Sequence, residues 1–134
     1  MPRDTSRLDM SVDFQPVNIA LLTISDTRTP DDDRSGDLLA ERIVEDGHVV
    51  ASRMIVTDDV DRITTRLQDW IENPQIDVIV TTGGTGLTGR DSTPEAFDRT
   101  VEKAIPGFGE LFRQLSYEKI GTSTIQSRAV AGVA

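Results

Sequence analysis

Apolar positions along the chain fall into two periods, and their alternation lays out a fold before any chemistry is considered. Residues 17–25 (VNIALLTIS) form a nearly continuous apolar run closing on small polar residues, the pattern of a strand covered on both faces. Residues 26–36 are polar and rich in turn formers, and read as a loop. Residues 37–46 carry Leu39 and Ile43, with Ala40 and Val44, at helical spacing, and Gly47 stands where a glycine ends a helix. Residues 48–56 are β-branched and partly alternating, which predicts a second strand. Residues 59–72 place Val60, Ile63, Leu67, Trp70 and Ile71 on one stripe, an amphipathic helix that stops before Asn73-Pro74. Residues 76–82 (IDVIVTT) read as another buried strand, opening directly into Gly83-Gly84-Thr85-Gly86. Thr93 is a natural N-cap with Pro94 after it, so a helix is expected from Pro94 to about Ala104. Phe108, Leu111, Phe112 and Leu115 stripe a further helix, and the Trp70 and Phe112 stripes are both expected in the core.

Strands alternating with helices predict an α/β fold, a three-layer αβα arrangement around a mostly parallel central sheet. In such sheets ligands bind beyond the carboxyl ends of the strands. The loops at Ser25-Asp26 and from Thr82 to Asp91 both leave strand ends, and are expected on the same edge.

Composition narrows the chemistry. The 134 residues suit one domain, expected over residues 17–134 with residues 1–16 as a loose N-terminal arm. The arm has no apolar core of a secretory signal, and no run approaches a membrane span. No cysteine is present, which removes disulfides, thiolate metal sites and thiol nucleophiles, and leaves cytoplasm as the default compartment. The one histidine, His48, follows Gly47 and is expected as a solvated turn residue rather than a catalyst. A net charge of −9 argues against nucleic acid as a partner. Any anion must therefore be held by backbone amides, a few arginines, or a metal ion recruited by the acidic residues.

Gly84-Thr85-Gly86-Leu87-Thr88-Gly89 matches G-x-G-x-x-G literally, yet the context is wrong for a dinucleotide site. The fingerprint opens a helix after the first strand, whereas here the loop follows about the third strand and Asp91-Ser92-Thr93-Pro94 postpones the helix. A Walker loop is excluded because no Gly-Lys-Ser/Thr follows. What remains is four glycines in seven residues, able to converge backbone amides on an anion, with Thr81, Thr82, Thr85 and Thr88 as hydroxyl donors and Arg90 as a fixed charge. A tight turn without ligand is the competing reading.

Thr81-Thr82-Gly83-Gly84-Thr85-Gly86, followed by Arg90-Asp91-Ser92-Thr93-Pro94-Glu95-Ala96, closely resembles the molybdopterin-binding domain family. Its single-domain members are the molybdopterin adenylyltransferases and the molybdenum cofactor biosynthesis protein B group. Ile24-Ser25-Asp26, Pro106-Gly107-Phe108-Gly109-Glu110 and Ser127-Arg128-Ala129-Val130-Ala131-Gly132 look like further family blocks. Asp32-Asp33-Arg34-Ser35-Gly36 and residues 121–128 (GTSTIQSR) are similar to the protein B branch.

The resemblance implies adenylylation of molybdopterin by ATP with Mg²⁺, releasing pyrophosphate. It implies Asp58 and Asp91 as the catalytic, metal-holding carboxylates, with Asp59 in place of Asp58 if the alignment slips by one. Without the resemblance, Asp58 and Asp59 read as caps of the following helix. Thr82, Gly83, Gly84, Thr85, Gly86 and Arg90 would bind phosphate, Ser25 and Asp26 would line the pocket edge, and Ser127, Arg128 and Ala129 would close on the molybdopterin phosphate. Spacing alone leaves Arg128 equally open to a structural role. The resemblance further implies a homo-trimer or hexamer. Family members continue past this point with another strand and a Leu-Pro-Gly-Ser-type loop, so residues 17–134 are expected to lack that segment. Two rival readings are a module that binds molybdopterin without adenylylating it and a mainly structural subunit.

Overall fold

The computed structural model describes residues 9–134; of the expected arm, residues 1–8 lie outside the described residues. Residues 9–16 are exposed and carry neither helix nor strand. The elements run β1 (Asn18–Ile24), α1 (Arg34–Glu45), β2 (Val49–Val56), α2 (Val60–Glu72), β3 (Val78–Thr82), α3 (Thr93–Thr100), β4 (Lys103–Ala104), α4 (Pro106–Ile120), a 3-10 turn (Gly121–Gln126) and β5 (Gly132–Val133).

The apolar run of β1 is central because only a strand paired on both edges and covered on both faces can bury six consecutive side chains, Ile19 to Ile24. The sheet order is β2-β1-β3, both pairings parallel, with Ile24 opposite Val56 and Thr23 opposite Thr82. Ala20, Leu22 and Ile24 pack with Ile63, Leu67 and Trp70 of α2 and Ala96 of α3. The opposite face of β1 carries α1, with buried Ile43 and an Asp33 contact to Thr23. The result is helix, sheet and helix in three layers. The chain leaves β1 toward β2 on one side and returns to β3 on the other, so a crevice opens where those steps diverge, at the carboxyl ends of β1 and β3.

Local chemistry sets the helix ends. Gly47 has φ +88°, and the paired bonds from Gly47 N–H to the Val44 carbonyl (3.0 Å) and His48 N–H to the Ile43 carbonyl (3.1 Å) close α1 in a Schellman turn. At its other end α1 begins three residues before the expected start, because Asp33 accepts the Gly36 amide at 3.0 Å and captures the first turn. Asp33 is 1% exposed and also takes the Thr23 hydroxyl at 2.8 Å and Arg53 Nη2 at 3.1 Å. Burial pushes the Asp33 carboxyl up, but the Thr23, Arg53 and Gly36 bonds outweigh it and leave its pKa below the ordinary value. A carboxyl depressed in the folded state contributes stability above its unfolded pKa, and that stability is lost as pH falls through the folded value. Asp33→Asn is therefore expected to cost about 1–2 kcal/mol at neutral pH, with the gap from wild type closing below about pH 4. Urea titrations of both proteins at pH 7 and pH 3 check this; an equal gap at both pH values contradicts it.

Several expectations are corrected. The helix expected to reach Ala104 ends at Thr100, and Lys103–Ala104 instead pair antiparallel with Gly132–Val133. The residue before that helix is Ser92 rather than Thr93, whose hydroxyl donates to the Gly83 carbonyl at 2.9 Å. Strand β3 is only half-buried, being an edge of the three-stranded sheet. His48 is half-buried, accepting the Val17 amide on Nδ1 at 3.1 Å beside the Phe14 ring. The Trp70 stripe is core, but Phe108, Leu111, Phe112 and Leu115 are 45–56% exposed. Helix α4 buries its other face: an added Cβ on Gly109 would meet the Ala129 carbonyl at 2.5 Å, and Arg113 Nη1 reaches the Ser127 and Ala129 carbonyls, both at 3.3 Å. Periodicity groups residues onto a face without saying which face finds a partner in the same chain.

Candidate functional site

Four segments meet at the carboxyl edge of the sheet. The first is the tip of β1. The Ser25 amide donates to the Val56 carbonyl at 2.9 Å, extending the β1–β2 ladder, while Ser25 Oγ accepts the Thr27 and Arg28 amides. Asp26 accepts the Asp58 amide at 3.0 Å and binds Arg90 through both carboxylate oxygens, Nε to Oδ2 at 3.0 Å and Nη2 to Oδ1 at 2.8 Å. Arg90, with a second contribution from the Asp58 amide, holds the Asp26 carboxyl below the usual range.

The second segment, after β2, separates the two candidate carboxylates. Asp59 has extended backbone and accepts the Arg62 amide at 3.0 Å, so it is the N-cap of α2. Asp58 points elsewhere: 7% exposed, it accepts the Ser92 amide at 3.0 Å and the Ser92 hydroxyl at 2.7 Å on Oδ1. Capping thus falls to Asp59, while Asp58 is tied to Ser92 of a distant segment.

The third segment is the glycine loop after Thr82. Gly83 and Gly84 have φ of +98° and +70°. A Cβ on Gly83 would strike the Ile24 carbonyl, and one on Gly84 would strike the Thr93 hydroxyl. The Thr93 amide donates to the Gly84 carbonyl at 3.0 Å, seating α3 against the loop. Asp91 accepts the Thr88 amide at 3.0 Å and hydroxyl at 2.7 Å on Oδ2, and these two bonds hold its carboxyl below the usual range. Among the described residues, no acceptor in the chain takes the amides of Gly84, Thr85, Gly86 or Leu87. Gly89 has open space where a Cβ would stand.

The fourth segment is Ser127 to Ala129. The Arg128 amide donates to the Thr85 carbonyl at 2.8 Å, and its guanidinium donates to the Gly86 carbonyl (2.6 Å), the Asp91 carbonyl (2.7 Å) and Glu95 (2.5 Å). Ser127 Oγ accepts the Ala129 amide at 3.4 Å, and Ala129 is buried. The residues singled out from sequence are therefore assembled in one place. Sequence reasoning gave Ser92 and Glu95 no role, yet they anchor Asp58 and Arg128. The only signal for either was membership of the Arg90–Ala96 block.

Beside the loop lies an open hollow of about 430 Å³ lined by Val60, Thr88, Asp91, Ser92, Glu95 and Arg128 among others. A second hollow of about 360 Å³, lined by Trp70, Ile79, Phe97 and Val133 among others, is mainly apolar and shares no residue with the loop. Asp77 and Thr100 line it too, and neither brings a positive charge to a phosphate. Asp58 commits Oδ1 to Ser92 and Asp91 commits Oδ2 to Thr88, so each keeps a second hard oxygen donor. That donor set fits Mg²⁺, which takes one or two carboxylates and completes its shell with phosphate oxygens and water. Among the described residues no group of three or more His, Cys, Asp or Glu could hold an ion, so the protein alone offers no complete cage.

Residues 20–133 match the family described as "Probable molybdopterin binding domain". The chain is 46% identical over 125 residues to molybdenum cofactor biosynthesis protein B of Escherichia coli strain K12, spanning 93% of this chain and 74% of that protein. It is 48% identical over 117 residues to the protein of the same name from Bacillus cereus, across 87% and 69% of the two chains. A crystal structure of a molybdenum cofactor biosynthesis protein B superposes with a TM-score of 0.85 at 46% identity, covering 89% of this chain and 74% of the other. A molybdopterin biosynthesis protein from Mycobacterium abscessus gives a TM-score of 0.80 at 31% identity, covering 88% and 75%.

Proposed function

The chain belongs to the molybdopterin-binding domain family and has a role in molybdenum cofactor biosynthesis; from that premise we propose that it binds molybdopterin and adenylylates it with ATP. The observation that carries this reading is the pair Asp58 and Asp91, set around Ser92 at the mouth of a glycine loop with free amides.

In the proposed reaction an oxygen of the molybdopterin phosphate forms a bond to the α-phosphorus of ATP. The bond from that phosphorus to the β-phosphate oxygen breaks, and pyrophosphate leaves with its electron pair. Such a transfer needs positioning and charge neutralisation more than a covalent nucleophile, in keeping with a chain that has no cysteine. The Gly84–Leu87 amides would take a phosphate in the concavity opened by the left-handed Gly83 and Gly84. Thr82 and Thr85 would add hydroxyl donors, and Ser25 and Asp26 would bound the pocket on the β1 side. Ser127, Arg128 and Ala129 would close the other side. Asp58 and Asp91 would hold Mg²⁺, which supplies neutralisation of the triphosphate when bound.

One observation favours a second reading, a carrier that binds molybdopterin without transferring the nucleotide. Arg90 and Arg128 are already paired, with Asp26 and Glu95, which leaves little uncommitted positive charge for a triphosphate. Magnesium-dependent pyrophosphate release from ATP, measured with and without molybdopterin, separates the two. Release that requires molybdopterin supports transfer; binding of the pterin without release supports the carrier.

The exposed apolar stripe of α4 supports assembly as a homo-trimer or hexamer, to be read by light scattering on a sizing column. No helix among the described residues is long and apolar enough to cross a membrane.

A further inference from the structure

We propose that Arg128 sets the orientation of the peptide planes in the glycine loop, and that Glu95 is a positioning residue which acts on the site through Arg128. This deepens the reading above by assigning what prepares the loop for an anion, and it rests on that reading only for the identity of the anion.

The argument starts from the peptide unit. A trans peptide is planar, so its C=O and the following N–H point in opposite directions. Arg128 gathers three loop carbonyls to its own side: Thr85 through its backbone amide, Gly86 through Nε and Asp91 through Nη2. The N–H groups of the same three planes belong to Gly86, Leu87 and Ser92, and must face away from Arg128. For Ser92 the consequence is visible, because its N–H donates to Asp58 Oδ1 at 3.0 Å. One peptide plane is thus held by Arg128 on one side and by the buried Asp58 on the other. The amides of Gly86 and Leu87 likewise face away from Arg128, with no acceptor among the described residues.

A guanidinium suits this task because its donors diverge in a fixed fork. The fork must itself be fixed. Glu95, in the first turn of α3, takes Nη1 at 2.5 Å and lies 3.5 Å from Nη2. Arg128 in turn holds the Glu95 carboxyl below its usual range. Glu95 makes no bond to the loop itself, so any effect it has on the loop passes through Arg128. Its place on a helix that is anchored to Gly83 and Gly84 through Thr93 makes the whole clamp one unit.

The test uses the full chain as wild type, Glu95→Gln, Arg128→Gln and the double variant. Amide hydrogen exchange is read at the bonded amides of Thr88, Asp91 and Ser92 and, as a reference, in β1. Glu95→Gln is expected to speed exchange at Thr88, Asp91 and Ser92 about tenfold while β1 and the melting temperature stay near wild type. The double variant is expected to match Arg128→Gln alone, since Glu95 has no separate route to the loop. Unchanged loop exchange in Glu95→Gln, or effects of the two substitutions that multiply, overturns the proposal. Molybdopterin titration adds a functional readout, with the dissociation constant expected to rise several-fold in Glu95→Gln and to be partly restored in Glu95→Asp. An unchanged dissociation constant in Glu95→Gln removes the positioning role. A wild type that binds no molybdopterin counts against the proposed function, and the exchange data then decide the clamp by themselves.

Discussion

Asp58→Asn is expected to lower molybdopterin-dependent pyrophosphate release by about 10²- to 10³-fold, the scale seen when one preorganised electrostatic group is removed. The substitution is informative because it leaves the local geometry intact. An asparagine Oδ1 can still accept the Ser92 amide and hydroxyl, so the fold and the loop position persist while the charge is gone. Asp91→Asn is expected to act in the same direction, with Thr88 still bonded to the side-chain oxygen. Asp59→Asn supplies the contrast: asparagine caps a helix about as well as aspartate, so both rate and melting temperature should stay near wild type. Steady-state pyrophosphate release and thermal melts on the three variants check this. A full rate in both Asp58→Asn and Asp91→Asn sinks the carboxylate assignment. Loss of rate in Asp59→Asn alone moves the role one residue along.

Gly83→Ala carries the largest expected cost in stability. With φ at +98°, the alanine must adopt a conformation that costs an L-residue about 1–2 kcal/mol, and its Cβ runs into the Ile24 carbonyl. That carbonyl belongs to the central strand and cannot yield freely, so overpacking adds about 1–3 kcal/mol. The sum, about 2–5 kcal/mol, is a large part of the stability of a domain this size. The matched control is Gly89→Ala, where nothing lies within 4 Å of the added carbon. Chemical denaturation of both variants checks the contrast, and equal stabilities would mean that the loop is not held as described.

The Gly83–Gly89 contrast shows where sequence reading stops. Four closely spaced glycines announced a loop in which backbone must approach something, and the β1 run announced a strand buried on both faces. Both are local patterns whose physical cause lies within the pattern itself. The glycines could not be ranked, because which of them faces a strand carbonyl depends on a contact across the sheet. Asp58 and Asp59 looked alike for the same reason. One caps its own helix, a local act, while the other is fixed by Ser92 from a distant segment. Asp33 was hidden in an acidic loop, and only the folded chain brings Thr23 and Arg53 to it. The Phe112 stripe failed in the opposite sense: its periodicity was real, but the partner it implied is not among the faces α4 meets here.

The strand order β2-β1-β3 also has a consequence for how the protein is made. On a ribosome β1 leaves the exit tunnel before its partners, and every later element of the sheet adds to it from one side or the other. At about 5–20 residues per second, the roughly sixty residues from Ser25 to Thr82, the end of β3, take on the order of 3–12 s to emerge. Through that interval the most apolar strand waits with at least one edge open, an interval in which a chaperone has something to hold. The glycine loop is tied down after the sheet, because Arg128 is translated after all three of its strands.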